Sequence, residues 1–172
     1  MKNSEMSCFQ CGSAMTTKRE NVPYKSLPGT VLVGVEVSRC AQCGEFEVAI
    51  TAIDELNRML AKAVIDAKRR LNGGEVRFLR SYLGYSGADF AKLMGSTPAT
   101  VSRWESEAQP IGHHADLLLR ALVMLDKKVD EYPIKKFGEV GGDVVVKTKT
   151  SKTGPSYAFT PTAKKWRSAE LA

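Results

Sequence analysis

At 172 residues, with 43% hydrophobic and 26% charged side chains, the chain has the composition of one globular domain or two small ones, which excludes wholesale disorder. No apolar run approaches the length of a membrane span, and the opening MKNSEM is too polar for a secretory signal, so a cytoplasmic protein with no membrane partner is expected. The net charge of +6 is uneven: Lys/Arg against Asp/Glu is ten to eight over residues 1–72, seven to eight over 73–132 and eight to three over 133–172. Any grip on phosphates must then come from a few placed side chains or from the tail.

In the cytoplasm thiols stay reduced, so the four cysteines point to metal rather than disulfides. Cys8-Phe9-Gln10-Cys11-Gly12 and Cys40-Ala41-Gln42-Cys43-Gly44 are two copies of one pattern. Each CxxC bends two thiolates onto one ion, and the glycine behind it relieves a tight backbone. Cys8, Cys11, Cys40 and Cys43 together supply the four sulfurs of a closed tetrahedral zinc site. Zinc is the default, and a lone iron in a rubredoxin-like site is the alternative. A redox dithiol is the plainer reading of a CxxC, but such motifs do not usually come paired with matching glycines. Four cysteines leave no open coordination position and neither histidine is near, so the metal is expected to be structural.

Between the knuckles, residues 15–21 and 30–39 read as strands joined by a turn at Pro28-Gly29. In the second, Val31, Val33, Val35 and Val37 alternate with other residues and are predicted to share one face. Residues 45–49 read as a third strand. So small a sheet cannot bury enough apolar surface alone, and the metal would supply much of its folding free energy.

Residues 51–71 read as a helix about 30 Å long. Thr51 and Asp54 form a capping-box variant, and Ile53, Leu56, Leu60, Ala63 and Ala67 form an apolar stripe. That stripe either covers the small sheet, which is favoured, or forms a short coiled-coil seam. Asn72-Gly73-Gly74 is read as helix stop and hinge. The basic run Lys68-Arg69-Arg70 is either solvated or near phosphates.

A predicted helix over 75–83 turns Val76, Leu79 and Leu83 inward and leaves Arg77 and Arg80 as candidate phosphate contacts. Residues 86–105 then read as two short helices and a tight turn. Phe90, Ala91, Leu93 and Met94 are the apolar positions of the first, which Ser86 caps. Gly95 supplies the positive φ of the turn. Val101 and Trp104, three apart, return to the core from the second. Small Ala91 lets the helices cross closely. This order of small, glycine and branched residues, with its closing Val101-Ser102-Arg103-Trp104-Glu105, resembles the Cro-repressor-like helix-turn-helix family. An unrelated helical hairpin is the alternative.

With Val101 and Trp104 inward, Thr97, Pro98, Ala99, Thr100, Ser102 and Arg103 are left to face DNA on a helix entering the major groove. Arg103 is the best candidate base reader, since guanidinium binds guanine O6 and N7 bidentately; otherwise it is a plain surface residue. Ser96, Thr97 and Thr100 suit phosphate contact, and Pro98 suits a first helical turn. Gly87 stands where many helix-turn-helix relatives carry a glutamine, so that contact is absent.

Residues 115–126 form an apolar helix with Leu117, Leu118, Leu119, Ala121, Leu122, Val123 and Leu125. One side serves the core, and the other suits a two-fold homodimer contact, as repressors use to span half-sites about 34 Å apart. His113 and His114 read as surface residues. A strand is predicted over 143–150. Beyond it, scattered Tyr157, Phe159 and Trp166 among basic residues read as a mobile, solvated tail or as a phosphate arm.

Paired cysteine knuckles followed by this helix pair resemble the YgiT-type zinc finger of the MqsA family of antitoxins, over about residues 8–126. The resemblance implies a toxin, a ribonuclease in class by that likeness alone, held by residues 1–71, and autorepression of the operon through double-stranded operator DNA. It also implies that Arg103 stands at a base-reading position, and that Ala99 replaces a second reader, an asparagine, so the operator should differ. The expectation is an α+β protein of three parts. Residues 1–71 form a zinc-binding sheet with a connecting helix, residues 74–132 an all-α DNA-binding domain of about five helices, and residues 133–172 a basic tail. The rival is a stand-alone regulator without a toxin. With no nucleophile–base pair, phosphate loop or vacant metal position, an enzyme is not expected.

Overall fold

The computed structural model describes residues 6–126, 157–161 and 165–169; the predicted strand over 143–150 lies outside them. The fold is mixed α+β, and the described residues form five strands in one sheet and five helices. It divides into two compact units. One comprises the chain up to Lys25, Gly29–Leu56 and the C-terminal strands; the other comprises Ser26–Pro28 and the chain from Asn57 through the last helix.

In the first unit, β1 (Met15–Pro23), β2 (Thr30–Cys40) and β3 (Phe46–Ala49) are antiparallel neighbours with β2 central. The β1–β2 connection closes on a Tyr24 N–H to Thr30 O bond of 2.9 Å, with Gly29 at φ +81°. The predicted valine face is out of phase. Thr30, Leu32, Val35, Val37 and Ser38 are buried, while Val31 and Val33 are only half-buried. The cause is a bulge. Gly34 sits at φ +68° and donates its N–H to Asn21 Oδ1 at 3.0 Å, and the register slips between Glu20 and Val22. One extra residue in a period-two strand exchanges its faces, so Leu32 before the bulge and Val35 after it point the same way.

The first unit also contains two strands that patterning did not foresee. β4 (Tyr157–Pro161) pairs parallel with β2, and β5 (Trp166–Ser168) pairs antiparallel with β4. Ala158, Phe159 and Trp166 are buried. The reading of these aromatics as part of a solvated tail or phosphate arm is therefore corrected: they are core residues of the sheet.

The helix α1 runs Ile53–Asp66, shorter than expected, and the division between the units falls within it. Among the described residues neither the Thr51 hydroxyl nor the Asp54 carboxylate caps it. Its buried residues are Leu56, Leu60, Ala61, Val64 and Ile65, whereas Ile53 is exposed and Ala63 is half-buried.

In the second unit, α2 (Gly73–Tyr82), α3 (Gly87–Leu93), α4 (Pro98–Glu105) and α5 (His113–Asp126) fill the span predicted to hold about five helices; the described residues there form four. Asn72-Gly73-Gly74 is no helix stop or hinge. Asn72 is the N-cap of α2: its side chain accepts the Glu75 N–H at 2.8 Å, and its own N–H donates to Glu75 Oε2 at 2.9 Å. Gly73 is there because nothing larger fits. A Cβ at that position would lie 2.6 Å from Glu105 O and 2.7 Å from Trp104 O.

A buried ion pair fixes the start of this unit. Arg120 of α5, 2% exposed, pairs with Asp116 one turn earlier. Its guanidinium also donates to Ile65 O at 2.6 Å, Ala67 O at 2.9 Å and Arg69 O at 2.7 Å. Asp116 Oδ2 accepts the Leu71 N–H at 2.9 Å. The last carbonyls of α1 and the strap after it thus find their donors on α5, which answers the orphaned acceptors of a helix end.

Candidate functional site

The four predicted ligands converge. The sulfurs of Cys8, Cys11, Cys40 and Cys43 all lie within 4.8 Å of one another. Cys8 and Cys43 Sγ are 3.6 Å apart, and Cys11 and Cys40 Sγ 3.4 Å. A tetrahedron of thiolates about 2.3 Å from a zinc ion has sulfur–sulfur edges of about 3.8 Å, so the cluster fits a metal ion.

The two knuckles are built alike. In each, the first cysteine's N–H donates five residues on, Cys8 to Ser13 O and Cys40 to Glu45 O, both at 2.8 Å. Its carbonyl in turn accepts the glycine N–H, from Gly12 at 2.7 Å and Gly44 at 3.1 Å. Both glycines hold positive φ, +74° and +75°, which explains the residue type behind each CxxC. Cys8 and Cys40 are buried with Met15, and Cys11 and Cys43 face outward.

Proximity shapes the acidity of the outer pair. Backbone and side-chain hydrogen bonds from Ser13 draw the Cys11 thiol down to about 6. The Glu45 backbone also pulls on Cys43, but burial and the thiols of Cys8, Cys11 and Cys40 push it up to about 12. The hydrogen bonds shared among the thiols thus lower one of the outer pair and raise the other. A central cation would favour the thiolate form of all four.

The second candidate site is the outer face of α4. Thr97 is its N-cap, accepting the Thr100 N–H at 3.2 Å, and Pro98 occupies the first turn. Gly95 takes φ +59° in the connection from α3. Phe90, Ala91, Val101 and Trp104 are buried, as expected, whereas Leu93 is partly exposed. Thr97, Ala99, Ser102 and Arg103 face solvent, and Ser96 and Thr100 are half-buried. The Thr97 and Thr100 hydroxyls lie 2.9 Å apart. Among the described residues the Arg103 guanidinium has no partner.

Arg77 and Arg80 part company. Arg80, with its side chain 17% exposed, donates to Glu105 at 2.6 and 3.2 Å and to Tyr85 O at 2.9 Å. Arg77, 61% exposed, reaches the same carboxylate at 3.3 Å. Arg80 is thus a strut between α2 and the end of α4, and only Arg77 stays open to an outside ligand. Glu105, missed in the sequence, is the shared acceptor. Arg77 and Arg80 lying on one helix face was the available signal. Of the basic run, Arg69 forks onto Glu75 at 2.6 and 2.8 Å. His113 and His114 are exposed, with rings edge to face.

No family model, no curated protein and no solved structure matches the chain. Among the described residues no helix is long and apolar enough to cross a membrane.

Proposed function

We propose that this protein is a sequence-specific DNA-binding transcriptional repressor. The observation that carries the reading is α4 itself. Its inner residues Val101 and Trp104 are buried, and its outer face holds small and hydroxyl side chains around Arg103, which is exposed and unpartnered among the described residues. An arginine held ready on a rigid helix suits bidentate recognition of guanine in the major groove. Ser96, Thr97, Thr100, Ser102 and Arg77 would hold phosphates, and Ala99 would pack on a thymine methyl. Arg80 supports this surface from behind through Glu105.

The metal in this reading is zinc, bound by Cys8, Cys11, Cys40 and Cys43 in a structural role. Exposed Leu118 and Leu125 on α5, one heptad apart, support a homodimer contact. The family resemblance adds the antitoxin role, with a toxin bound by residues 1–71. A neighbouring gene for a small basic protein would support it, and its absence would favour the stand-alone regulator.

Selection of bound sequences from random DNA, with wild type and Arg103→Ala, tests the central step. Loss of about 1–3 kcal/mol at one base position is expected. A uniform loss over all sequences would make Arg103 a phosphate contact instead.

A further inference from the structure

The central strand β2 has two edges. β1 takes one of them along nearly the whole strand, from Val31 to Cys40. The other is shared: β3 pairs with Glu36, Val37, Ser38 and Arg39, and β4 pairs with Thr30, Val31 and Leu32. The strands β1, β2 and β3 follow one another in sequence and carry the cysteine cluster between them. β4 and β5 arrive from the far end of the chain, after α5.

We propose that the edge of β2 at residues 30–32 is a strand-accepting groove, and that the chain's own strand pair β4–β5 is its resident ligand. Three features make it a groove rather than a bare ladder. Tyr157 N–H donates to Gly29 O at 3.1 Å, which sets the register at the point of entry. Phe159 and Trp166 are buried side chains, delivered by two strands that pair Phe159 with Ser168 and Pro161 with Trp166. The Trp166 indole N–H reaches Thr51 O at 2.8 Å, so the ring is both buried and oriented.

Among the described residues the parallel ladder is three residue pairs long, a short backbone grip, and the aromatics carry the selectivity. Vacating this seat would leave unpaired backbone groups on β2 beside an apolar trough, the form of edge that extended peptides add to. A protein docking there must present an extended strand with a bulky aromatic and must displace β4–β5 to do so. The C-terminal segment is thus a self-supplied occupant that keeps the edge closed. This inference does not rest on the DNA-binding reading.

The test uses the full chain with a protease site inserted after Gly142. After cleavage, the fragment carrying β4–β5 is expected to co-elute with the remainder. A large excess of a fluorescently labelled synthetic peptide of residues 155–172 should then replace it, read by anisotropy. A peptide with Phe159→Ala and Trp166→Ala should compete at least about tenfold less well. The proposal is overturned if the cut fragment separates and the labelled peptide fails to bind the remainder. It is equally overturned if the fragment resists exchange, or if the remainder loses its sheet signal as the fragment leaves, because β4–β5 is then an integral part of the sheet.

Discussion

Replacing Arg120 with methionine tests how the helical unit is held together. The guanidinium is 2% exposed and serves Asp116 and three backbone carbonyls, those of Ile65, Ala67 and Arg69. Methionine fills similar volume but donates nothing. The change strands a buried carboxylate, and breaking a buried pair from one side costs about 3–5 kcal/mol. The orphaned carbonyls add to this, at about 1–3 kcal/mol for each that water cannot reach. Against a total stability of about 5–15 kcal/mol, the variant should be barely folded. With a urea slope of about 2 kcal/mol/M, even the lower figure moves the midpoint by about 1.5 M. Urea melts followed by circular dichroism read this directly. A second variant, Arg120→Met with Asp116→Leu, removes the stranded charge and should recover part of the loss. A midpoint shift under about 0.5 M for Arg120→Met would refute the claim that this guanidinium closes the end of α1.

Other outcomes follow from the same structure. Purified protein should release one metal ion per chain when its thiols are modified, and chelation should abolish the sheet's thermal transition while Cys8→Ser mimics the loss. Gly73→Ala should destabilise by more than about 1–3 kcal/mol in the same urea melt, because the new methyl meets backbone oxygens rather than movable side chains. Gly95→Ala meets nothing within 4 Å, so only its left-handed φ matters, and a loss of about 1–2 kcal/mol is expected. The Arg39 guanidinium forks onto Glu20 at 2.6 and 3.1 Å and holds its carboxyl below the usual 4.5. Folded Glu20 therefore binds protons less readily than unfolded. Its stabilisation is full above pH 4.5 and is lost as pH falls through the lower folded value, so Glu20→Gln should flatten the acid limb of a stability–pH curve.

Much of this architecture was legible because it is local. The paired knuckles, three strands, the Ser86 cap and the crossing of α3 and α4 depend on residues close in sequence. Glycine chemistry marked both knuckles and the turn at Gly95, since only a residue without Cβ takes those φ values freely. The exposed α4 face was readable from the burial of Val101 and Trp104 three residues apart.

Non-local pairing was not legible. The Gly34 bulge exchanged the faces of β2, because alternation counts residues and cannot count an unpaired one. Asn72 is the local exception: it looked like a helix end but begins the next helix through a capping box with Glu75, only three residues on. Arg80 looked like a phosphate contact until Glu105, distant in sequence, claimed it. Phe159 and Trp166 read as tail residues because nothing around them is periodic.

The sequence by itself determined which residues can bend a backbone, cap a helix or ligate a metal, since those properties belong to single side chains and their immediate neighbours. Only the tertiary structure decided which charges are spent on one another and which edge the last strands fill. Those outcomes depend on distances between segments that covalent order leaves open, and burial makes each such pairing exclusive: a guanidinium closed around Glu105 or the α1 carbonyls is no longer offered to a ligand.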